Sequence, residues 1–276
     1  MNKTFKAFIC VLALGLLSSI STSAKSALVV AHYGSSDDAT RTKTIDKITA
    51  DIREVFPHLE VREAYISPIV RRNLAKRGIN TLSPIDALLK LKVEGYDSVY
   101  VQSTTIIDGA EMNEVRQAAA QVEPFFSFIK VGKPLLYSPD DCEKVVEIIA
   151  TEPHAKGEAV VYVGHGNMLP STAAYTQLDY MLAAAGHADY HVSTIEGYPT
   201  AQTTIGELSA TKGIKKVKLV PFLLVCGNHT KHDIAGDFAS ALNAAGYTTE
   251  VVMRGLAESA PIRQLYINRV NQLLAK

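Results

Sequence analysis

His165, Glu196 and His229 are the residues of this chain whose types and surroundings point most directly to chemistry. Each closes an apolar run. Val160-Val-Tyr-Val leads into Gly164-His165-Gly166, Thr194-Ile leads into Glu196-Gly-Tyr-Pro, and Leu219-Val-Pro-Phe-Leu-Leu-Val leads into Cys226-Gly-Asn-His229. In an α/β chain, ligands gather beyond the carboxyl ends of parallel strands. Two neutral imidazoles and one carboxylate suit a divalent first-row metal, and they leave coordination positions open. One such histidine alone reads as a satisfied structural residue. Three metal-type residues at three successive strand ends read as a site, and open positions suit an ion that must leave again.

The remaining candidates are ranked by their surroundings. His232 follows His229 by three residues, so on a helix it shares roughly one side with it; it reads either as a further ligand or as a surface histidine in a first turn. Asp233 fits a helix N-terminal charge. His187 and His191 have i, i+4 spacing, but Gly186 stops the helix before them, and they read as solvated turn residues. His154 lies in a polar linker and His58 follows Pro57; both read as structural. His32 occupies the first-half counterpart of His165, and Glu111 mirrors His229, so both are expected on the opposite wall of a cleft. No G-x-S-x-G elbow occurs, and no G-x-G-x-x-G or Walker-type loop, so neither a serine hydrolase nor nucleotide binding is supported.

The elements that must position these residues alternate along the chain. Strand-like runs at 27–31, 59–67, 98–104 and 128–131 are separated by helical patterns, including one from Asp37 to Pro57. Ser67-Pro68, Ser83-Pro84 and the stretch 140–150 open or form further helices. The polar, helix-breaking segment Glu152-Pro-His-Ala-Lys-Gly-Glu158 marks a boundary. After it the rhythm returns, with strands at 159–163, 190–195, 216–225 and 248–253 and helices at 171–185, 203–210, 231–245 and 261–274. Paired landmarks recur in the same order in both halves, among them His32 with His165 and Glu111 with His229. The expected fold is α/β: two similar doubly wound lobes, 25–151 and 152–276, each a four-stranded parallel sheet flanked by helices, with a cleft between them and the metal site in the second lobe.

Residues 1–24 differ from the rest. Lys3 and Lys6 precede an apolar stretch from Ala7 to Leu17, then Ser18-Ser-Ile-Ser-Thr-Ser-Ala24. That is the order of a secretory signal peptide cleaved after Ala24, so export, in the periplasm, is expected, with no membrane attachment after cleavage. The 28 basic and 28 acidic side chains balance, and no basic run occurs, which argues against a nucleic-acid partner. Cys142 and Cys226, in unlike local settings, are expected as buried free thiols.

Taken together, Gly164-His165-Gly166, Ile195-Glu196-Gly-Tyr-Pro199 and Pro221-Phe-Leu-Leu-Val-Cys-Gly-Asn-His229-Thr-Lys-His-Asp233 resemble the anaerobic-type sirohydrochlorin cobaltochelatases of cobalamin synthesis. Pro84-Ile-Asp-Ala-Leu-Leu-Lys-Leu, Ile106-Ile-Asp-Gly-Ala-Glu111 and Gly132-Lys-Pro-Leu-Leu extend the resemblance over essentially everything after the signal segment. It implies a bilobal, ferrochelatase-like fold, a tetrapyrrole substrate and Co2+ as substrate metal, with Fe2+ or Ni2+ as alternatives and no nucleotide. It also implies that His165 is metal ligand and proton acceptor, with Glu196 and His229 as the other ligands. Thr105 stands where the family commonly carries a histidine linked to haem in exported members, and Met112 replaces an aromatic. Export sets other readings beside cobalt insertion: an exported carrier of tetrapyrrole or metal, an iron chelatase, or a metal-free structural relative. Homo-oligomer formation is left open.

Overall fold

The computed structural model describes residues 25–275; residues 1–24, where a signal peptide is expected, and Lys276 lie outside the described residues. Strands β1 (Lys25–His32), β2 (Glu60–Tyr65), β3 (Tyr96–Ser103) and β4 (Phe128–Val131) form one sheet. Strands β5 (Glu158–Gly166), β6 (Tyr190–Glu196), β7 (Lys216–Pro221) and β8 (Thr248–Val251) form the other. The sheet orders are β2-β1-β3-β4 and β6-β5-β7-β8, and every pairing is parallel. Position by position these are one topology used twice, and the inner strands β1 and β5 carry His32 and His165.

Between the strands run helices α1 (Asp38–Lys43), α2 (Ile45–Val55), α3 (Pro68–Ala75), α4 (Pro84–Val93), α5 (Ala110–Val122) and α6 (Pro139–Ile149) in the first half. The second half has α7 (Ala173–Ala184), α8 (Ala201–Ala210), a π-helix (Thr230–Phe238) that runs on into α9 (Ala239–Ala244), and α10 (Ala260–Leu274). Ser83 and Ser138 each cap a helix whose first residue is proline, and Asp86 and Asp141 complete reciprocal capping boxes. These caps satisfy backbone donors that helix geometry leaves unpaired.

Period-two alternation along the central strands sorts the core into layers. Ala27, Val29 and Ala31 of β1 pack with α4 and α5, whereas Leu28 and Val30 join a second cluster. Ala159, Val161 and Val163 of β5 pack with α8, the π-helix and α9, whereas Val160 and Tyr162 join that same second cluster. It also takes in α2, α6, α7 and α10, so a single apolar core is shared by the two lobes.

Helix α10 comes last in the chain but returns to the first lobe. Tyr266 donates from its hydroxyl to the Thr104 carbonyl at 2.9 Å. Arg263 pairs with Asp51 at 2.7 Å, and Arg269 pairs with Asp141 and donates to the Leu135 carbonyl.

Three expectations need correction. The helix foreseen from Asp37 to Pro57 breaks at Thr44, whose backbone leaves helical space, giving α1 and α2. The strand foreseen at 216–225 ends at Pro221, because Phe222 to Gly227 peel off as a connecting loop. The helix foreseen from Lys231 begins as a π-helix. Among the described residues, no helix is long and apolar enough to cross a membrane.

Candidate metal centre

His165 sits one residue before the end of β5, on the parity of Val161 and Val163, the face covered by α8 and the π-helix. His229 immediately precedes that π-helix. The two imidazoles therefore meet: their ring centroids are 4.6 Å apart and their planes nearly perpendicular. Each ring is oriented through Nδ1. His165 Nδ1 donates to the Gly166 carbonyl at 3.0 Å, and a carbonyl can only accept, so Nδ1 carries the proton. His229 Nδ1 lies 2.6 Å from Asp233 Oδ2, which fixes its tautomer the same way. In the neutral form each ring keeps a bare Nε2 lone pair, the form a metal binds. A carboxylate behind a ligating histidine also raises its basicity.

The π-helix explains why Asp233 fills this role and His232 does not. Bonding from i to i+5 widens the turn, so the fourth residue on from His229 returns to its side and the third falls short. His232 is exposed on the same helix. Spacing could have revealed Asp233, since i, i+4 pairs share a helical face.

Glu196 is the last residue of β6 and is paired in register with Gly166, one step beyond His165. It is exposed. The three expected ligands do not stand as a closed cluster. Among the described residues, the group of three whose ligand atoms all lie within 4.8 Å of one another is a different one, Asp179, His191 and Glu207. Two histidines are thus preassembled, and the carboxylate waits at the neighbouring strand end on a mobile kind of side chain.

Two glycines give the centre its shape. Gly166 has φ +72°, and a Cβ there would come within 1.8 Å of the Glu196 carbonyl. Only glycine lets β5 and the end of β6 approach so closely. At Gly164 a Cβ would meet the Tyr175 ring at 2.3 Å, so this buried ring of α7 packs directly beneath the His165 turn. Nothing in the sequence pattern singled Tyr175 out.

The far wall comes from the first lobe. A Cβ on Gly109 would stand 2.9 Å from Asn167 Nδ2 and 3.6 Å from Glu111 Oε2. The loop after β3 therefore touches the loop after β5, and Glu111 is half-buried at that seam. Thr40 closes a second bridge, donating to the Cys226 carbonyl at 3.2 Å. Cys226 and Cys142 are buried free thiols.

His32 is not on this wall. It is fully buried, with Nδ1 2.9 Å from Thr104 Oγ1 and Nε2 2.9 Å from Thr49 Oγ1. Parity accounts for the difference. His32 shares its face of β1 with Leu28 and Val30, which point into the shared core, whereas His165 is on the outer parity of β5. One residue of offset turns a side chain to the other face of a sheet. Burial, helped by the positive charge of Arg53, pushes the His32 pKa down to about 3, which keeps the ring neutral. His191, read as a solvated turn residue, is instead a buried member of β6. His154 pairs with Asp189 at 2.6 Å and packs edge-on against Tyr190.

Around the centre the surface is apolar where solvent would favour polar groups. Met168 is 86% exposed and Tyr198 52%, and they follow His165 and Glu196 by three and two residues. Leu169 is exposed beside Met168. Exposed apolar groups gathered at a site mark a ligand surface.

Comparison with known proteins gives the family and the fold. The model of the family described as cobalt chelatase (CbiK) matches residues 26–275. A sirohydrochlorin cobaltochelatase of Salmonella typhimurium is 32% identical over 257 residues, spanning 91% of this chain and 97% of the relative. The sirohydrochlorin cobaltochelatase CbiKC of Nitratidesulfovibrio vulgaris is 34% identical over 246 residues, 85% of each chain. The structure of SirB from Bacillus subtilis with Fe3+ superposes with a TM-score of 0.63 over 91% of this chain and 96% of that one, at 13% identity, a likeness of fold. A family match over nearly all the described residues, together with a bilobal fold that pairs two histidines at a strand end, shows that this chain belongs to the CbiK cobalt chelatase family.

Proposed function

We propose that this chain inserts Co2+ into sirohydrochlorin, with His165, His229 and Glu196 holding the incoming ion and His165 serving as the base. The observation that carries the reading is the pair of imidazoles 4.6 Å apart, each anchored through Nδ1 and each with Nε2 free. The relatives' names supply the substrate and the metal.

The chemistry follows from that arrangement. Metallation forms Co–N bonds as two pyrrole N–H bonds break, so two protons must leave the macrocycle. Two histidines hold the ion in an open site from which it can be transferred. When the ion passes to the macrocycle, His165 Nε2 loses its metal bond, and its lone pair becomes available for a pyrrole proton. An imidazole can act as ligand and as base, which suits that exchange. The second proton passes to Glu196 or to water at the exposed mouth. Met168, Leu169 and Tyr198 present the apolar face on which a tetrapyrrole rests, which makes positioning a main contribution of the protein.

Residues 1–24 support placing the protein outside the cytoplasm. Export favours a second reading beside the first, a periplasmic carrier that keeps the same centre and turns over slowly. Mixing the purified protein with sirohydrochlorin and Co2+ and following the absorption spectrum separates the two. Rapid metallation that is abolished in His165→Ala supports the enzyme; tight binding of sirohydrochlorin with no rate above the uncatalysed one supports the carrier. Amino-terminal sequencing of the protein from the periplasmic fraction tests export, with Lys25 as the expected first residue.

A further inference from the structure

We propose that Asp179, His191 and Glu207 form a second divalent-metal site, apart from the cleft, that takes Zn2+ or a similar first-row ion and ties α7 and α8 to the edge strand β6. The proposal stands whether or not the cleft metallates a tetrapyrrole.

The three residues come from three elements, and their ligand atoms all lie within 4.8 Å of one another. His191 is 91% buried, since only 9% of its surface is exposed, and its Nε2 has no hydrogen-bond partner. Glu207 Oε2 is also buried and makes no hydrogen bond, although it faces His191 Nδ1. Buried polar atoms are normally paired, so a buried carboxylate oxygen that faces an imidazole nitrogen beyond ordinary hydrogen-bond length points to a missing positive centre between them.

Spacing points the same way. His191 Nδ1 and Glu207 Oε2 are 3.4 Å apart. A charge-assisted hydrogen bond would close to about 2.8 Å. Two ligands bound at about 2.0–2.1 Å to a tetrahedral ion stand roughly 3.3 Å apart. Asp179 is already oriented, accepting the Val192 N–H at 2.6 Å, as a ligating carboxylate is in a built site.

Burial raises the pKa of Asp179 and of Glu207, and lowers that of His191. Without a cation each group is pressed toward neutrality. A divalent ion reverses this for the carboxylates and needs the imidazole neutral, as burial already makes it. One imidazole with two carboxylates is a borderline donor set, suited to Zn2+ or Co2+ better than to Ca2+. His191 is the second residue of β6 and Glu196 the last, five residues or roughly 16 Å apart along the strand, so the site is distinct from the cleft while bracing the strand that delivers Glu196.

The test uses the full chain carrying His165→Ala and His229→Ala, stripped with chelator and titrated with Zn2+ by calorimetry and thermal melting. The expected result is one Zn2+ bound per chain and a Tm raised by about 5 °C at saturating metal. Glu207→Gln or Asp179→Asn in that background is expected to weaken binding at least about 10-fold. No uptake by the natively folded double variant, or uptake that neither added substitution weakens, overturns the proposal. Crystals of the unsubstituted protein soaked in Zn2+ give a readout independent of any variant: an anomalous peak between the three side chains supports the site, and its absence there overturns it.

Discussion

His229 Nδ1 lies 2.6 Å from Asp233 Oδ2, across one wide turn of the π-helix that begins at Thr230. The carboxylate fixes which imidazole nitrogen faces the crevice and makes that nitrogen a better donor to an ion. Asp233→Asn keeps the size of the side chain and removes its charge. It is expected to lower Co2+ affinity by about 10–100-fold with thermal stability nearly unchanged. Co2+ titration of the variant, followed by metallation at saturating Co2+, checks this; unchanged affinity would remove Asp233 from the centre.

The proposed mechanism asks His165 to be ligand and proton acceptor in one ring. His165→Ala should cost about 100-fold or more in metallation rate, while sirohydrochlorin still binds, because the apolar platform of Met168, Leu169 and Tyr198 is untouched. Fluorescence titration with sirohydrochlorin, beside the rate measurement, distinguishes lost chemistry from lost binding.

Gly166 tests the shape of the centre. Gly166→Ala brings a methyl group against the Glu196 backbone carbonyl at a residue with φ +72°, so about 2 kcal/mol or more of stability should be lost. Gly206, in the middle of α8 with nothing near its missing Cβ, is the control: Gly206→Ala should be neutral or stabilising by up to about 1 kcal/mol. Urea midpoints of the two variants decide it, and equal shifts would contradict the close approach of β5 to β6.

Sequence reasoning reached the alternation of strands and helices because central strands with both faces buried read as apolar runs bounded by glycine turns. It reached His165 and His229 because both follow such runs. It missed His191 for a related reason. Helices cover both sides of β6, so no clean polar and apolar alternation shows which residues are buried, and Gly186 nearby suggested a solvated turn. His32 was misplaced because the duplicated landmark preserves position along the chain, not parity on the sheet. The π-helix was also out of reach. Apolar spacing at Thr230, Ile234 and Phe238 fits an α-helix as readily, and only the hydrogen-bond register distinguishes them.

Burial of His32 makes a pH dependence that is separate from catalysis. The folded protein keeps the ring neutral down to about pH 3, while the unfolded chain protonates it below about 6.5. The unfolded state therefore holds the extra proton in that window. Stability contributed by this residue is fully present above 6.5 and falls by about 1.4 kcal/mol per pH unit on acidification to about 3. His32→Gln, which keeps a donor and an acceptor, should flatten that slope. Urea titrations at pH 7 and pH 4.5 on both proteins measure it.

The return of α10 onto β3, α2 and α6 has a consequence for how a bulky macrocycle gets in. Tyr266, Arg263 and Arg269 lash the carboxyl-terminal helix to the opposite half of the molecule, and the apolar interior runs unbroken from one sheet to the other. These ties and the shared core oppose a clam-like opening of the two sheets, so the route for a macrocycle is expected at the rim, by the loops that carry Met168 and Tyr198.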